Sequence, residues 1–242
     1  MHKDAWGAMK KPITENPISL LLLNGGVGKR AEHSEPKQFY ELHGHPMMAY
    51  AIIAATKVSQ IQEIVINAPD GYVERTQQIM QNYAGHIAVQ VKECGATRQE
   101  SSLILAEAAS HDIVIMHETA RPLINARTYF DLIDHAADNV GYFVDIPFSM
   151  CRLDPKTRVI RKNVRRDKVY NIQLPQKFNK ASLLSAHTQA RSEKKTFTED
   201  AVMMFKMTSA EVHAIDGDSQ NIKVTTPEDF AIAEQLMGGA KD

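Results

Sequence analysis

The chain has 242 residues, enough to bury a sizeable core as one large α/β domain or two small ones. A composition of 43% hydrophobic and 24% charged residues reads as soluble and globular, and a net charge of −1 gives no hint of nucleic acid or a membrane surface as partner, so any anion-binding argument rests on local basic patches. Two distant cysteines, Cys94 and Cys151, argue against a disulfide framework or a structural zinc site.

In chain order, residues 1–16 read as a flexible leader and residues 17–242 as a single domain. The leader lacks the apolar core of a signal peptide, so the expected location is the cytoplasm. "ISLLLL" from Ile18 is a continuous apolar run, as expected of a strand buried on both faces. "MMAYAIIAATKV" is of helical length, "IQEIVINAP" is a strand closed by a Pro-Asp-Gly turn, and "VERTQQIMQNYA" is a polar-faced helix. Strand "HIAVQVKECG", helix "RQESSLILAEAAS", strand "DIVIMHE" and the Asn-capped helix "NARTYFDLIDHAADN" follow. This alternation predicts an α/β fold with an open, mostly parallel twisted sheet covered by helices. After Asp145 the alternation stops. Residues 148–173 read as a projecting β-hairpin arm around an Asp-Pro-Lys-Thr turn, basic enough to meet solvent or a partner subunit. "KASLLSAHTQAR" is then a helix and "AEVHAID" a strand. "TPEDFAIAEQLM" is a final helix, with Thr226 as cap and Pro227 in its first position.

Asn24-Gly25-Gly26-Val27-Gly28 follows the first strand, and open parallel sheets bind ligands beyond the carboxyl ends of their strands. Glycines there let backbone N–H groups approach phosphate oxygens, with Lys29, Arg30 and Lys37 to neutralise charge. On glycines alone, a tight turn with a solvated basic face fits equally well. Lys29-Arg30 after Gly28 is not a P-loop ending, and Ala31 breaks the dinucleotide fingerprint. Three further clusters carry more polarity than packing requires: "GATRQESS", "HETARP" and "NIKVTTPED". Glu118, at a strand's end, is placed for Mg²⁺ or for a salt bridge with Arg121.

Six motifs in order, "NGGVGKRA", "PKQF", "GATRQES", "HETARP", "LPQKF" and "NIKVTTPED", resemble the cytidylyltransferases that make CDP-alcohols from polyol phosphates. Members of that family act on methylerythritol phosphate or ribitol 5-phosphate. The resemblance implies a CTP-dependent cytidylyltransferase with catalytic Arg30, Lys37 and Lys223. It implies that Asn24, Gly25, Gly26 and Gly28 wrap the phosphates. Gly95, Arg98 and Ser101 would frame the cytosine pocket, and Thr119 would lie near the base or ribose. Glu118 stands where the family has an Asp Mg²⁺ ligand. Arg121, Arg166 and Thr198 match acceptor-site positions. The family arm crosses a homodimer, so Arg166 is expected to serve the neighbouring subunit. The expected partners are CTP and a polyol or sugar phosphate, with no nucleic acid and no membrane. His117 is the obvious base, yet a phosphate acceptor is already a nucleophile, so a structural role is expected for it.

Four departures from the family pattern stand out. Glu118 replaces Asp, Leu174 replaces the Thr of Thr-Pro-Gln, Asn24 replaces a small alanine, and "IPFSMCR" lacks the usual polar pair. Three fall on the metal or acceptor side. They favour a ribitol-5-phosphate-like acceptor over methylerythritol phosphate, with a catalytically drifted nucleotide binder as a further alternative.

Overall fold

The computed structural model describes residues 16–25 and 35–239. The first strand, β1 (Ile18–Leu23), is buried along its whole length and pairs in parallel with β4 (Ile61–Ala68) and β6 (Ile113–Glu118). Its side chains alternate between two cores, as strand geometry demands. Ile18, Leu20 and Leu22 face one core and Leu21 and Leu23 the other. β4 splits the same way, with Ile64 and Ile66 against Val65.

Helices fill both faces. α1 (Ala49–Ala55), α2 (Val73–Tyr83) and α4 (Ala126–Asp134) cover the first core through Ile52, Met80 and Leu132. α3 (Arg98–Ala108), α5 (Lys180–Ser192) and α6 (Asp200–Met207) cover the second through Leu105, Leu183 and Met204. Caps set where several of these helices begin. Thr97 accepts from Glu100 N (3.1 Å), Asn125 from Thr128 N (3.2 Å) and Asn179 from Ser182 N (3.0 Å).

The remaining strands complete a seven-stranded sheet. They are β5 (Ala88–Glu93), β7 (Val140–Asp145), β10 (Tyr170–Asn179) and β11 (His213–Asp216), in the order β11-β7-β10-β6-β1-β4-β5. β10 runs antiparallel to both neighbours, β6 and β7; the other pairings are parallel. From β1 the chain builds outward through β4 and β5, then returns to lay β6 on β1's other side. That reversal opens a crevice at the carboxyl ends of β1 and β6.

A small hairpin, β2 (Glu41–Leu42) with β3 (His45–Pro46), and the last helix, α7 (Pro227–Gly239), form a third apolar cluster through Leu42, Met47, Val224 and Ala233. Thr226 caps α7 as expected: its Oγ1 accepts from Asp229 N, and the Asp229 carboxylate accepts from Thr226 N in return.

The arm differs in extent from the sequence expectation of 148–173. Its separate two-stranded part is β8 (Met150–Leu153) against β9 (Ile160–Val164). Residues 170–173 instead pair with residues 142–145 inside the main sheet. Among the described residues, no helix is long and apolar enough to cross a membrane.

Candidate active site

A cleft of about 300 Å³ opens where β1 and β6 end. Asn24 and Gly25 border it from β1, Glu118 and Thr119 from β6, and Gly95, Arg98 and Ser101 from the start of α3. Lys37 and Lys223 complete it. The sequence thus named nine side chains and backbone positions that the fold brings to one place. The N-terminus of α3 adds its own attraction for an anion there.

Local contacts fix this geometry. The Asn24 carbonyl accepts from Gln38 Nε2 (2.5 Å), and Asn24 Oδ1 accepts from Thr119 Oγ1 (2.6 Å), which ties the two strand ends and the Pro-Lys-Gln turn together. Gly25 has no room for a side chain, because an added Cβ would sit 2.5 Å from Cys94 Sγ. Burial pushes that thiol up to about 11, so Cys94 packs as a small neutral group. Gly95 is equally confined: its Cβ would meet Glu100 Cγ at 2.5 Å, and its N–H donates to Ser101 Oγ (3.0 Å).

Charge concentrates around Glu118, which is 7% exposed. Arg121 Nε donates to its Oε1 (2.7 Å), and Lys223 pairs with its Oε2. Burial pushes the Glu118 carboxyl up, but Lys223 and Arg121 more than offset this and hold it below the usual carboxylate range. Of the two sequence alternatives for Glu118, the Arg121 bridge is formed, and the same carboxylate lines the cleft. Lys37 Nζ donates to the Val224 carbonyl (2.5 Å); burial, then the neighbouring Lys223, lower its affinity for a proton. His117 is fully buried, stacks edge-on against Tyr129, and is pushed by burial down to about 3. Its place in the core matches the structural role expected of it.

Other expectations are placed differently. Gly26, Gly28 and Arg30 lie outside the described residues. Arg121 stands behind Glu118 and donates to the Asn221 carbonyl (2.6 Å). Thr198 is exposed in the loop before α6, and Arg166 is exposed beyond the arm, donating to the Pro147 carbonyl (2.6 Å). Neither lines this cleft. Leu174, read from sequence as a lost acceptor-site hydroxyl, is 3% exposed within the second core, and only its carbonyl is engaged, by Asn221 Nδ2 (2.8 Å). The sequence reading missed Gln38 and Asn221 as organisers of the site. Their partners are backbone carbonyls, which leave no mark on composition or spacing.

Comparison with known proteins decides the family. The IspD family, 2-C-methyl-D-erythritol 4-phosphate cytidylyltransferase, matches residues 18–239. The chain belongs to this family. Its members are cytidylyltransferases, so the chain is a nucleotidyltransferase. A 2-C-methyl-D-erythritol 4-phosphate cytidylyltransferase from Clostridium acetobutylicum is 30% identical over 220 residues, 90% of this chain and 96% of that protein. One of the same name from Halalkalibacterium halodurans is 28% identical with the same coverage. The fold matches a 4-diphosphocytidyl-2C-methyl-D-erythritol synthase crystal structure from Anaerococcus prevotii, with a TM-score of 0.81, 20% identity, and 93% and 99% of the two chains covered.

Proposed function

We propose that the chain transfers a cytidylyl group from CTP to 2-C-methyl-D-erythritol 4-phosphate, releasing pyrophosphate. The observation that carries this is the convergence of Lys37, Lys223 and Glu118 with the glycine backbone at the β1/β6 crevice, in a chain of this family. The ribitol-phosphate preference drawn from sequence is revised. One of the three departures behind it, Leu174, has its side chain in the core, and the relatives above are named for methylerythritol phosphate.

The chemistry is a displacement at phosphorus. An oxygen of the acceptor's phosphate attacks the α-phosphorus of CTP; a P–O bond forms, the bond to the β-phosphate bridge breaks, and pyrophosphate leaves with the electron pair. The nucleophile is already ionised, so no general base is required, consistent with a buried, neutral His117. The barrier is the approach of two anions, and Lys37, Lys223 and Arg30 would lower it by position and charge. Gly95, Arg98 and Ser101 would hold the base, with Thr119 beside the base or ribose.

A divalent cation fits this donor set. No group of three His, Cys, Asp or Glu side chains among the described residues encloses a metal. Glu118 offers one hard oxygen site, and Mg²⁺ that travels with nucleotide phosphates takes only one or two protein carboxylates. The ion would supply charge neutralisation at the phosphates. Arg121, Arg166 and Thr198 would bind the acceptor, Arg166 from a second copy. Exposed Val159 and Ile160 on the arm support such pairing.

A pyrophosphate-release assay with CTP and Mg²⁺ across methylerythritol, ribitol, erythritol and glycerol phosphates tests the reading. Methylerythritol 4-phosphate is expected to turn over fastest. Faster turnover of ribitol 5-phosphate, or CTP binding without turnover of any acceptor, would overturn it.

A further inference from the structure

Behind the cleft, three helices meet in a buried polar chain. Ser102 on α3, His187 on α5 and Asp200 on α6 are each 2% exposed or less. Ser102 Oγ donates to Asp200 Oδ1 (2.7 Å), and His187 Nε2 lies 3.3 Å from Ser102 Oγ. A serine hydroxyl has one proton to give. Given to Asp200, it leaves the serine oxygen as acceptor, so His187 Nε2 is the donor. The other carboxylate oxygen, Asp200 Oδ2, pairs with Arg98 Nη2 at 2.8 Å. Arg98, in turn, lines the cleft with 27% of its side chain exposed.

The residue types suggest a hydrolytic triad, but the geometry excludes one. The hydroxyl proton points to the carboxylate, the imidazole donates rather than accepts, and Ser102 has no exposed surface for a substrate. The chain of contacts runs in one direction, from His187 through Ser102 to Asp200, and ends on a guanidinium at the ligand cleft.

We propose that Ser102, His187 and Asp200 are positioning residues that fix Arg98 for the nucleotide. Arginine is long and flexible, and immobilising it costs affinity when that cost falls at the moment of binding. Here the cost falls at folding. Asp200 holds one nitrogen of the fork, Ser102 and His187 hold Asp200, and a 3.9 Å approach of Glu199 adds a further, longer-range charge. Ser102 sits one turn beyond Arg98 on the same helix, so the arrangement closes through α6 back onto α3.

The proposal rests on the reading of this cleft as the CTP site, and the test separates the two. CTP is titrated calorimetrically with Mg²⁺ into the full chain and into Arg98→Ala, Asp200→Asn, Ser102→Ala and the double variant Arg98→Ala/Asp200→Asn. Thermal melts run alongside. Asp200→Asn keeps the shape and removes the charge; it should weaken CTP about tenfold, the value of one charge-assisted contact. Ser102→Ala should weaken it by about threefold. The double variant should bind no worse than Arg98→Ala alone, because positioning has nothing left to position. A loss confined to fold stability, with CTP affinity intact in folded Asp200→Asn and Ser102→Ala, would overturn the proposal, as would losses that add in full to that of Arg98→Ala. Wild-type affinity in Arg98→Ala would instead overturn the nucleotide reading of Arg98 and the proposal with it.

Discussion

Two buried glutamates occupy opposite ends of the same sheet, and their surroundings could hardly differ more. Glu63, near the start of β4, is 4% exposed and accepts four hydrogen bonds from neutral groups. These come from Ser19 Oγ (2.5 Å), Gln90 Nε2 (2.8 Å), Ser110 N (2.8 Å) and Ser110 Oγ (2.7 Å). Glu118, at the end of β6, is met by two cations at the edge of a cleft. Burial pushes both carboxyls up; hydrogen bonds from Ser110, Ser19 and Gln90 bring Glu63 back down, and charge from Lys223 and Arg121 does so for Glu118. Neutral short donors fasten a carboxylate into the frame. A lysine on a flexible stem, 43% exposed, can exchange one anion for another.

The contrast breaks most visibly at Lys223. Lys223→Ala should cut kcat/KM by about 10²–10³, the usual loss for one transition-state charge partner, with little change in melting temperature. Full turnover in that variant would make Glu118 as structural as Glu63. The converse change, Glu63→Ala, strands donors on two strands, β1 and β5, and on the loop after α3. It should destabilise the fold by about 2–3 kcal/mol in urea melts while turnover per folded molecule stays unchanged. A fall in turnover would tie the far end of the sheet to the chemistry.

The most gradual effect belongs to His117, next to Glu118 but inside the core. The unfolded chain takes up a proton near pH 6.5 that the folded chain refuses until about pH 3. Stability is therefore complete above pH 6.5 and falls as pH drops through that window, by at most about 1.4 kcal/mol per pH unit. His117→Phe should flatten the urea midpoint against pH between 7 and 4. An unchanged slope would show that His117 is not held neutral.

Much of this was legible in the residues. Runs such as Ile18–Leu23 and Ile61–Ala68 announce strands buried on both faces, and Asn125 and Thr226 mark helix starts. β10 was not legible, because its buried positions include Gln173, Gln176 and Lys177, polar letters that hide a central strand. Lys177 is accommodated by donating to the His135 carbonyl (2.8 Å), and burial lowers its amine to about 8. α6, with eight residues and no side-chain cap bond, gave too little periodicity to find. The site residues on strand ends and glycine turns could be named from motifs. The groups that orient them, Gln38, Asn221 and Asp200, depend on contacts between distant segments.

The antiparallel course of β10 gives the arm an unusual root. The two strands that flank the arm, β7 and β10, are zipped to each other, and β10 is zipped to β6 as well. The arm is thus the free end of a cantilever whose anchorage is the middle of the sheet. A load at its tip enters β7 and β10, the latter directly beside the strand that bears Glu118, instead of being shed at a margin.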